Sequence, residues 1–274
     1  MALARNGDVT IFYEEFGLYD DPLLVLIPGL GSQMLLYPEE LCRGFADRGF
    51  RVARLDNRDV GLSSRVPAGY TIGDMADDVV SVLDACDVER AHVAGLSMGG
   101  MISQTVAARH PDRTATMTSV GSGTGNASVA QPTAEVVEAL LQPAVEGPID
   151  EIIEADLAAR RLWASPEWHD DDVTRQYFRE AYERSAPDGA AYQRQVDAIT
   201  AAGNRDHEVA GIDRPSLVIH GTHDTLLPPA AGEHTASLIG GAEWVLIEGM
   251  GHDLPVQMWA QLISSITALA ARAA

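Results

Sequence analysis

Apolar and polar positions alternate between two kinds of segment along most of the chain. An unbroken apolar run, typical of a strand buried on both faces, covers residues 23–27, and further predicted strands cover 51–55, 114–120, 215–219 and 244–247. A run rich in β-branched and aromatic residues at 8–16 predicts an earlier strand. Segments with apolar residues at helical spacing cover 38–48, 72–87, 101–110, 230–238 and 256–273. This alternation predicts an α/β fold with a mostly parallel sheet and helices on both faces.

The alternation stops between residues 124 and 210, which we call the cap segment. Its pattern is helical throughout, and it carries 17 acidic and 7 basic residues. We predict an inserted helical cap over a core formed by residues 1–123 and 211–274. Solvated helix faces explain the acidity, and a rim that disfavours anionic substrates is the alternative. Two places are also open for the aromatic residues of the segment, the interior of the cap or the wall of a pocket; these residues are Trp163, Trp168, Tyr177 and Phe178.

A serine lies at the point where one predicted strand turns into a helix. The strand ends in Gly95-Leu96-Ser97-Met98-Gly99, and the helical pattern follows at once. A serine at such a sharp turn projects its Oγ clear of the sheet, as a nucleophile must. Glycines at 95 and 99 leave room for that turn because they have no Cβ atom. Ser97 is therefore the predicted nucleophile.

A serine hydroxyl needs a base within hydrogen-bond reach, and the base needs a carboxylate to orient it. Asp224 follows the predicted strand at 215–219, and His252 follows the last predicted strand. Both fall at the carboxyl ends of strands, where ligands gather in open parallel sheets. We predict Asp224 as the acid and His252 as the base. The other histidines and acids near these motifs are predicted to have structural roles. His92, His110 and His220 pack in the interior, and His223 lies in a solvated loop. Asp253 caps the last helix, and Asp77 and Asp78 belong to the polar face of a helix.

Two backbone N–H groups are predicted to stabilise the negative charge that such chemistry develops. One belongs to Met98, the residue after the nucleophile. The other belongs to Leu30, in the Pro28-Gly29-Leu30-Gly31 loop after the first buried run. That loop does not complete a dinucleotide-binding fingerprint. We also find no metal-ligand spacing, so neither a cofactor nor a metal is predicted.

Composition removes several classes of partner. The net charge of the 274 residues is −21 and every basic residue is an arginine, so nucleic acid and anionic membranes are poor partners. Cys42 and Cys86 lie in helical patterns and are predicted to be buried free thiols. Neither a signal-peptide pattern nor a membrane-spanning apolar stretch is present, which predicts a cytoplasmic protein. The oligomeric state is left open.

These motifs together resemble the α/β-hydrolase fold superfamily over nearly the whole chain. The loop Asp56-Asn57-Arg58-Asp59-Val60-Gly61-Leu62-Ser63 resembles its D-x-R-G-x-G-x-S loop, with Asp59 where glycine is usual. The Asn-Arg-Asp version of that loop is similar to the aclacinomycin methylesterase-like subgroup, whose members remove a methyl ester from a polyketide scaffold. The resemblance implies hydrolysis of a small-molecule carboxylic ester through an acyl-enzyme on Ser97.

Other uses of the same residues stay open at this point. A C–C bond, a lactone or a perhydrolase reaction would employ the same three side chains. A ligand-binding or sensor protein could use the same pocket, although a pure binder has no need for Ser97, Asp224 and His252 together.

Overall fold

Eight strands form one sheet in the part of the chain that the computed structural model describes, residues 2–140, 142, 145 and 147–273. Positions 141, 143, 144 and 146 of the cap segment and the two terminal residues of the predicted core lie outside the described residues. The sheet order is β1-β2-β4-β3-β5-β6-β7-β8. The pairs β1–β2 and β2–β4 are antiparallel and the other neighbours are parallel, so the predicted fold class is confirmed. The strands are β1 (Ala2–Asn6), β2 (Val9–Phe16), β3 (Leu23–Ile27), β4 (Arg51–Leu55), β5 (Ala91–Leu96), β6 (Thr114–Val120), β7 (Ser216–Gly221) and β8 (Glu243–Ile247).

Helices follow most of these strands. They are α1 (Glu39–Ala46), α2 (Ile72–Ala85), α3 (Met98–Arg109), α4 (Ala134–Leu140), α5 (Ile149–Arg160), α6 (Asp171–Arg184), α7 (Gly189–Ala202), α8 (Asp206–Ala210), α9 (Ala230–Leu238) and α10 (Val256–Ala270). None of the described helices combines the length and the apolar composition that a membrane crossing requires.

The core consists of two apolar layers, one on each face of the sheet. Along β3, Leu23, Val25 and Ile27 belong to one layer, and Leu24 and Leu26 belong to the other. This division follows from the two-residue period of a strand. Helices α2 and α3 cover the first face, and α1 and α10 cover the second. The unbroken apolar run at 23–27 is therefore a strand with a covered face on either side.

Two differences from the sequence prediction have clear physical reasons. Strand β1 was not predicted, because only its antiparallel pairing with β2 at the edge of the sheet defines it. Asp78 was placed on a polar helix face, which is wrong: it is buried and pairs with Arg58 at 2.6 and 2.7 Å. The carboxylate is tolerated there because a bidentate guanidinium satisfies both of its oxygens. Cys42 and Cys86 are buried free thiols, as predicted.

Helices α4 to α8 form the described part of the cap segment. Phe178 is buried in it, with its ring centroid 5.4 Å from that of Tyr177 and 5.7 Å from that of Tyr182. These aromatic side chains therefore pack against one another within the segment. Ion pairs attach the segment to the loop after β4, with Arg184 on Asp56 at 2.7 Å and Arg194 on Asp59 at 2.8 Å.

Candidate active site

The loops after β3 and β5 start side by side at the carboxyl edge of the sheet. The chain continues from β3 to β4 on one side and from β5 to β6 on the other, so a topological switch point lies between them. Ligands of open α/β sheets bind at such a point. Tyr37 joins the two strand ends, since its hydroxyl donates to Ile27 O (2.9 Å) and accepts from Leu96 N (3.2 Å).

Ser97 occupies the turn between β5 and α3 in a strained conformation. Its φ of 58° and ψ of −120° lie in a region of backbone angles that residues other than glycine rarely adopt. The turn is tight because a Cβ atom at Gly95 would lie 2.1 Å from Gly99 O, and one at Gly99 would lie 2.0 Å from Ile27 O. The Ser97 N–H donates to Val120 O at 2.9 Å. The serine is thus fixed at the apex by neighbours on both sides.

Asp224 and His252 come together although 28 residues separate them in sequence. His252 Nδ1 lies 2.6 Å from Asp224 Oδ2, and both side chains are buried. The other carboxylate oxygen, Oδ1, accepts from the N–H groups of Leu226 (3.0 Å) and Leu227 (2.8 Å). Burial alone would raise the pKa of Asp224, but the charge of His252 and hydrogen bonds from His220 and His252 lower it to about 2. The carboxylate is therefore ionised at neutral pH and suited to orient the imidazole.

The pair lies beside the strand next to β5. Gly121, directly after β6, lies against it, since a Cβ atom there would be in van der Waals contact with Asp224 Oδ2 and His252 Nδ1, at 3.5 Å from each. The hydrogen bonds of the described residues do not include one between Ser97 Oγ and the His252 ring. Such bonds are commonly long in unliganded hydrolases and tighten when substrate is bound.

Two backbone N–H groups close to Ser97 have no hydrogen-bond acceptor among the described residues. The loop after β3 passes close to the serine, since a Cβ atom at Gly29 would lie 3.9 Å from Ser97 Oγ. Among the described residues, no hydrogen bond uses the N–H of Leu30 or that of Met98. Met98 is the first residue of α3, where an N–H has no acceptor within the helix and the helix dipole favours negative charge.

His220 contacts the predicted acid, which sequence reasoning missed. Its Nε2 lies 2.7 Å from Leu227 O and 3.2 Å from Asp224 Oδ2, and the ring is fully buried. A proton on Nε2 can be donated to both oxygens, so the ring helps to hold the Asp224 carboxylate. The ring also packs on Trp244. The sequence signal was its place four residues before Asp224, at the end of the same strand. His92 and His110 make isolated contacts with Thr116 and Asp77, in keeping with structural roles.

Asp253 does not cap the last helix, so that prediction is wrong. Pro255 occupies the N-cap of α10, and the Asp253 carboxylate accepts from Ser165 N (3.1 Å) and Ser165 Oγ (2.5 Å). Ser165 Oγ in turn accepts from Gly251 N at 2.9 Å, and the His252 N–H donates to Trp163 O at 2.6 Å. Residues 163–165 of the cap segment thus hold the loop that carries the predicted base.

The Asp-Asn-Arg-Asp loop after β4 holds the other side of the site. Asn57 Nδ2 donates to Pro28 O at 3.0 Å, and Asp59 accepts two hydrogen bonds from Arg194, at 2.8 and 2.9 Å. Asp59 has a φ of 70°, which explains why glycine is usual at this position in the resembling motif. Burial raises the pKa of Asp59, but hydrogen bonds from Arg194 and Val66 outweigh it and the pKa is lowered.

Comparisons with known proteins find similarity over nearly the whole chain. The family model for the alpha/beta hydrolase fold matches residues 22–257. The chain is 30% identical to the rhodomycin D methylesterase DauP of Streptomyces sp. (strain C5), covering 97% of this chain and 96% of that protein. It is 29% identical, with the same coverage, to the rhodomycin D methylesterase DnrP of Streptomyces peucetius. Among solved structures, an enol-lactonase from Burkholderia xenovorans LB400 matches 98% of this chain and 99% of its own, with 26% identity and a TM-score of 0.78.

Proposed function

The chain belongs to the α/β-hydrolase fold family, and on that premise we propose that it hydrolyses carboxylic esters through an acyl-enzyme on Ser97. The hydrogen bond between Asp224 and His252, at the same sheet edge as the strained serine, carries the proposal. Full-length similarity to two methylesterases supports a methyl ester of a small hydrophobic molecule as the substrate.

In the first step, Ser97 Oγ attacks the ester carbonyl while His252 Nε2 takes its proton. Asp224 keeps the proton of the neutral ring on Nδ1, so that Nε2 is free to act as the base, and stabilises the imidazolium that forms. The N–H groups of Leu30 and Met98 donate to the oxyanion of the tetrahedral intermediate. His252 then returns the proton to the departing alcohol, which leaves the acyl group on Ser97.

The second step reverses these roles with water as the nucleophile. His252 removes a proton from a water molecule that attacks the acyl carbonyl. The same two N–H groups hold the second oxyanion. The proton returns to Ser97 Oγ as the acid departs, and the enzyme regains its starting state.

We further propose that residues 124–210 act as a cap that selects the substrate. The segment contacts the base loop through Trp163 and Ser165, and the Asp-Asn-Arg-Asp loop through Arg184 and Arg194. Its net negative charge, from 17 acidic against 7 basic residues, favours neutral over anionic substrates, because like charges repel. A lactone is the second candidate substrate, favoured by the full-length match to a solved enol-lactonase.

A substrate panel tests the proposed function. We expect a neutral aromatic methyl ester to be turned over with a kcat/KM at least about tenfold above that of a matched γ-lactone, and of the same ester with an added carboxylate. Acid release and methanol release should be equal. A higher kcat/KM for the lactone would favour the lactone as the substrate. Absence of turnover with every carboxylic ester would contradict the proposed ester hydrolysis.

A further inference from the structure

We propose that Gln195, a residue of the cap segment, is a positioning residue for the oxyanion hole. The inference rests on the proposed function, because it concerns how the Leu30 N–H is aimed at the reacting carbonyl oxygen. It assigns to α7 a second task beyond covering the site.

Gln195 is fully buried and bridges two loops of the core. Its Oε1 accepts from Gly31 N at 2.8 Å, and its Nε2 donates to Arg58 O at 2.9 Å. Gly31 is the residue directly after Leu30, and Arg58 belongs to the loop after β4. One carboxamide therefore links the loop of residues 28–31 after β3, which we call the oxyanion loop, to the Asp-Asn-Arg-Asp loop.

The oxyanion loop is held at both ends, and Leu30 lies between the two anchors. At its start, Pro28 O accepts from Asn57 Nδ2 at 3.0 Å. At its end, the Gly31 N–H is bound by Gln195. Fixing the peptide planes on either side restricts rotation of the Gly29–Leu30 peptide, whose N–H is the predicted oxyanion donor. A donor that is oriented before substrate binds needs no reorganisation during the reaction.

One hydrogen bond within the loop, from Ser32 N to Gly29 O at 3.2 Å, closes a turn around Leu30 and Gly31, and Gln195 restrains that turn from outside the loop. Gly31 has a φ of 66° and, as a glycine, many other conformations are open to it. Without Gln195 the Gly31 N–H would lose this acceptor, and because Gly31 itself is exposed, the Leu30–Gly31 peptide could turn to bind water instead. Rotation of the Leu30–Gly31 peptide would displace the neighbouring peptide and with it the Leu30 N–H.

A separate interaction seats α7 on the core, and it provides the matched control. Arg194 pairs with Asp59 through two hydrogen bonds and makes none with the oxyanion loop. Removing the Arg194 pair therefore loosens the cap segment without freeing Gly31. Removing the Gln195 carboxamide frees Gly31 while the Arg194 pair remains.

The test compares Gln195→Met, Gln195→Asn and Arg194→Met with the wild type on a methyl ester. Methionine removes both hydrogen bonds, and asparagine is one methylene too short to form both at once. Two variants are used so that the test still stands if one of them does not fold. Both should lower kcat about 10- to 100-fold with KM within about threefold, and weaken a trifluoromethyl ketone inhibitor by the same factor, because its oxyanion uses the same hole. Amide exchange of Gly31 should become faster in both variants.

Three results would overturn the inference. These are a kcat within twofold of wild type in the Gln195 variants, an unchanged exchange rate of the Gly31 amide, or an equal parallel loss of kcat and inhibitor affinity in Arg194→Met. A wild type that turns over no ester contradicts the proposed function instead. In that case the exchange of the Gly31 amide still decides whether Gln195 holds the loop.

Discussion

Replacement of Ser97 by alanine is expected to lower kcat for ester hydrolysis by about 10⁴- to 10⁶-fold. Alanine keeps the Cβ atom, so the strain at a φ of 58° is the same, and the N–H bond to Val120 O is retained. The variant lacks only the nucleophilic oxygen. Stopped assays on a methyl ester, with near-ultraviolet circular dichroism as a check of the fold, measure the effect.

Ser103→Ala is the matched control for this change. Ser103 is buried in α3, and its hydroxyl donates to Gly99 O at 2.9 Å, so its loss removes a serine hydroxyl near the turn between β5 and α3 without removing the proposed nucleophile. We expect its kcat to stay within about threefold of wild type. Equal losses of kcat in the two variants would mean that the change reports a disturbed turn between β5 and α3 and not the loss of the Ser97 hydroxyl. Full activity of Ser97→Ala would show that Ser97 is not the nucleophile.

Asp224→Asn is expected to lower kcat by about 10⁴-fold while the fold persists. The reason lies in which oxygen is already engaged. Oδ1 accepts from two backbone N–H groups, so the amide oxygen of asparagine takes that place and its NH₂ group faces His252 Nδ1. The ring must then carry its proton on Nε2, where it cannot accept one from Ser97. The measurement is kcat across the neutral pH range.

Asp206→Asn serves as the control for that variant. Asp206 also pairs with a histidine, His234, at 3.0 Å, and accepts hydrogen bonds from Thr124 and Asn126, but it joins α8 to α9 and contacts none of the predicted catalytic residues. Its kcat should stay within about threefold of wild type. An Asp224→Asn variant as active as Asp206→Asn would exclude Asp224 as the orienting acid.

The sequence predicted some strands of the sheet well. The bounds of β3, β4 and β6 match the predictions, and of these only β3 is apolar throughout, since β4 carries two arginines and β6 carries threonines and a serine. Strand β1 was not predicted, because an edge strand with one covered face has only a weak pattern of apolar residues. Helix α3 begins at Met98, directly after Ser97, although its apolar periodicity is readable only from Met101 because Gly99 and Gly100 interrupt the pattern.

Residues that act through distant partners could not be predicted in the same way. Ser97, Asp224 and His252 follow strand ends, so the order of elements was enough to propose them. Gln195 is one polar position on a helix, and only folding brings it to Gly31, 164 residues away in sequence. Asp78 and Asp253 were misjudged for the same reason, because the groups that bind them, Arg58 and Ser165, are specified by tertiary packing.

The most direct test of the account is the position of the covalent intermediate. Wild-type enzyme is mixed with an activated ester, quenched in acid within the first turnover and digested with trypsin, which releases residues 91–109 as one peptide between Arg90 and Arg109. We predict a stoichiometric acyl group on Ser97 of that peptide, distinguished from Ser103 by fragmentation, and none in Ser97→Ala. Acylation of any other residue at the rate of turnover, or turnover with no adduct on Ser97, would contradict the account.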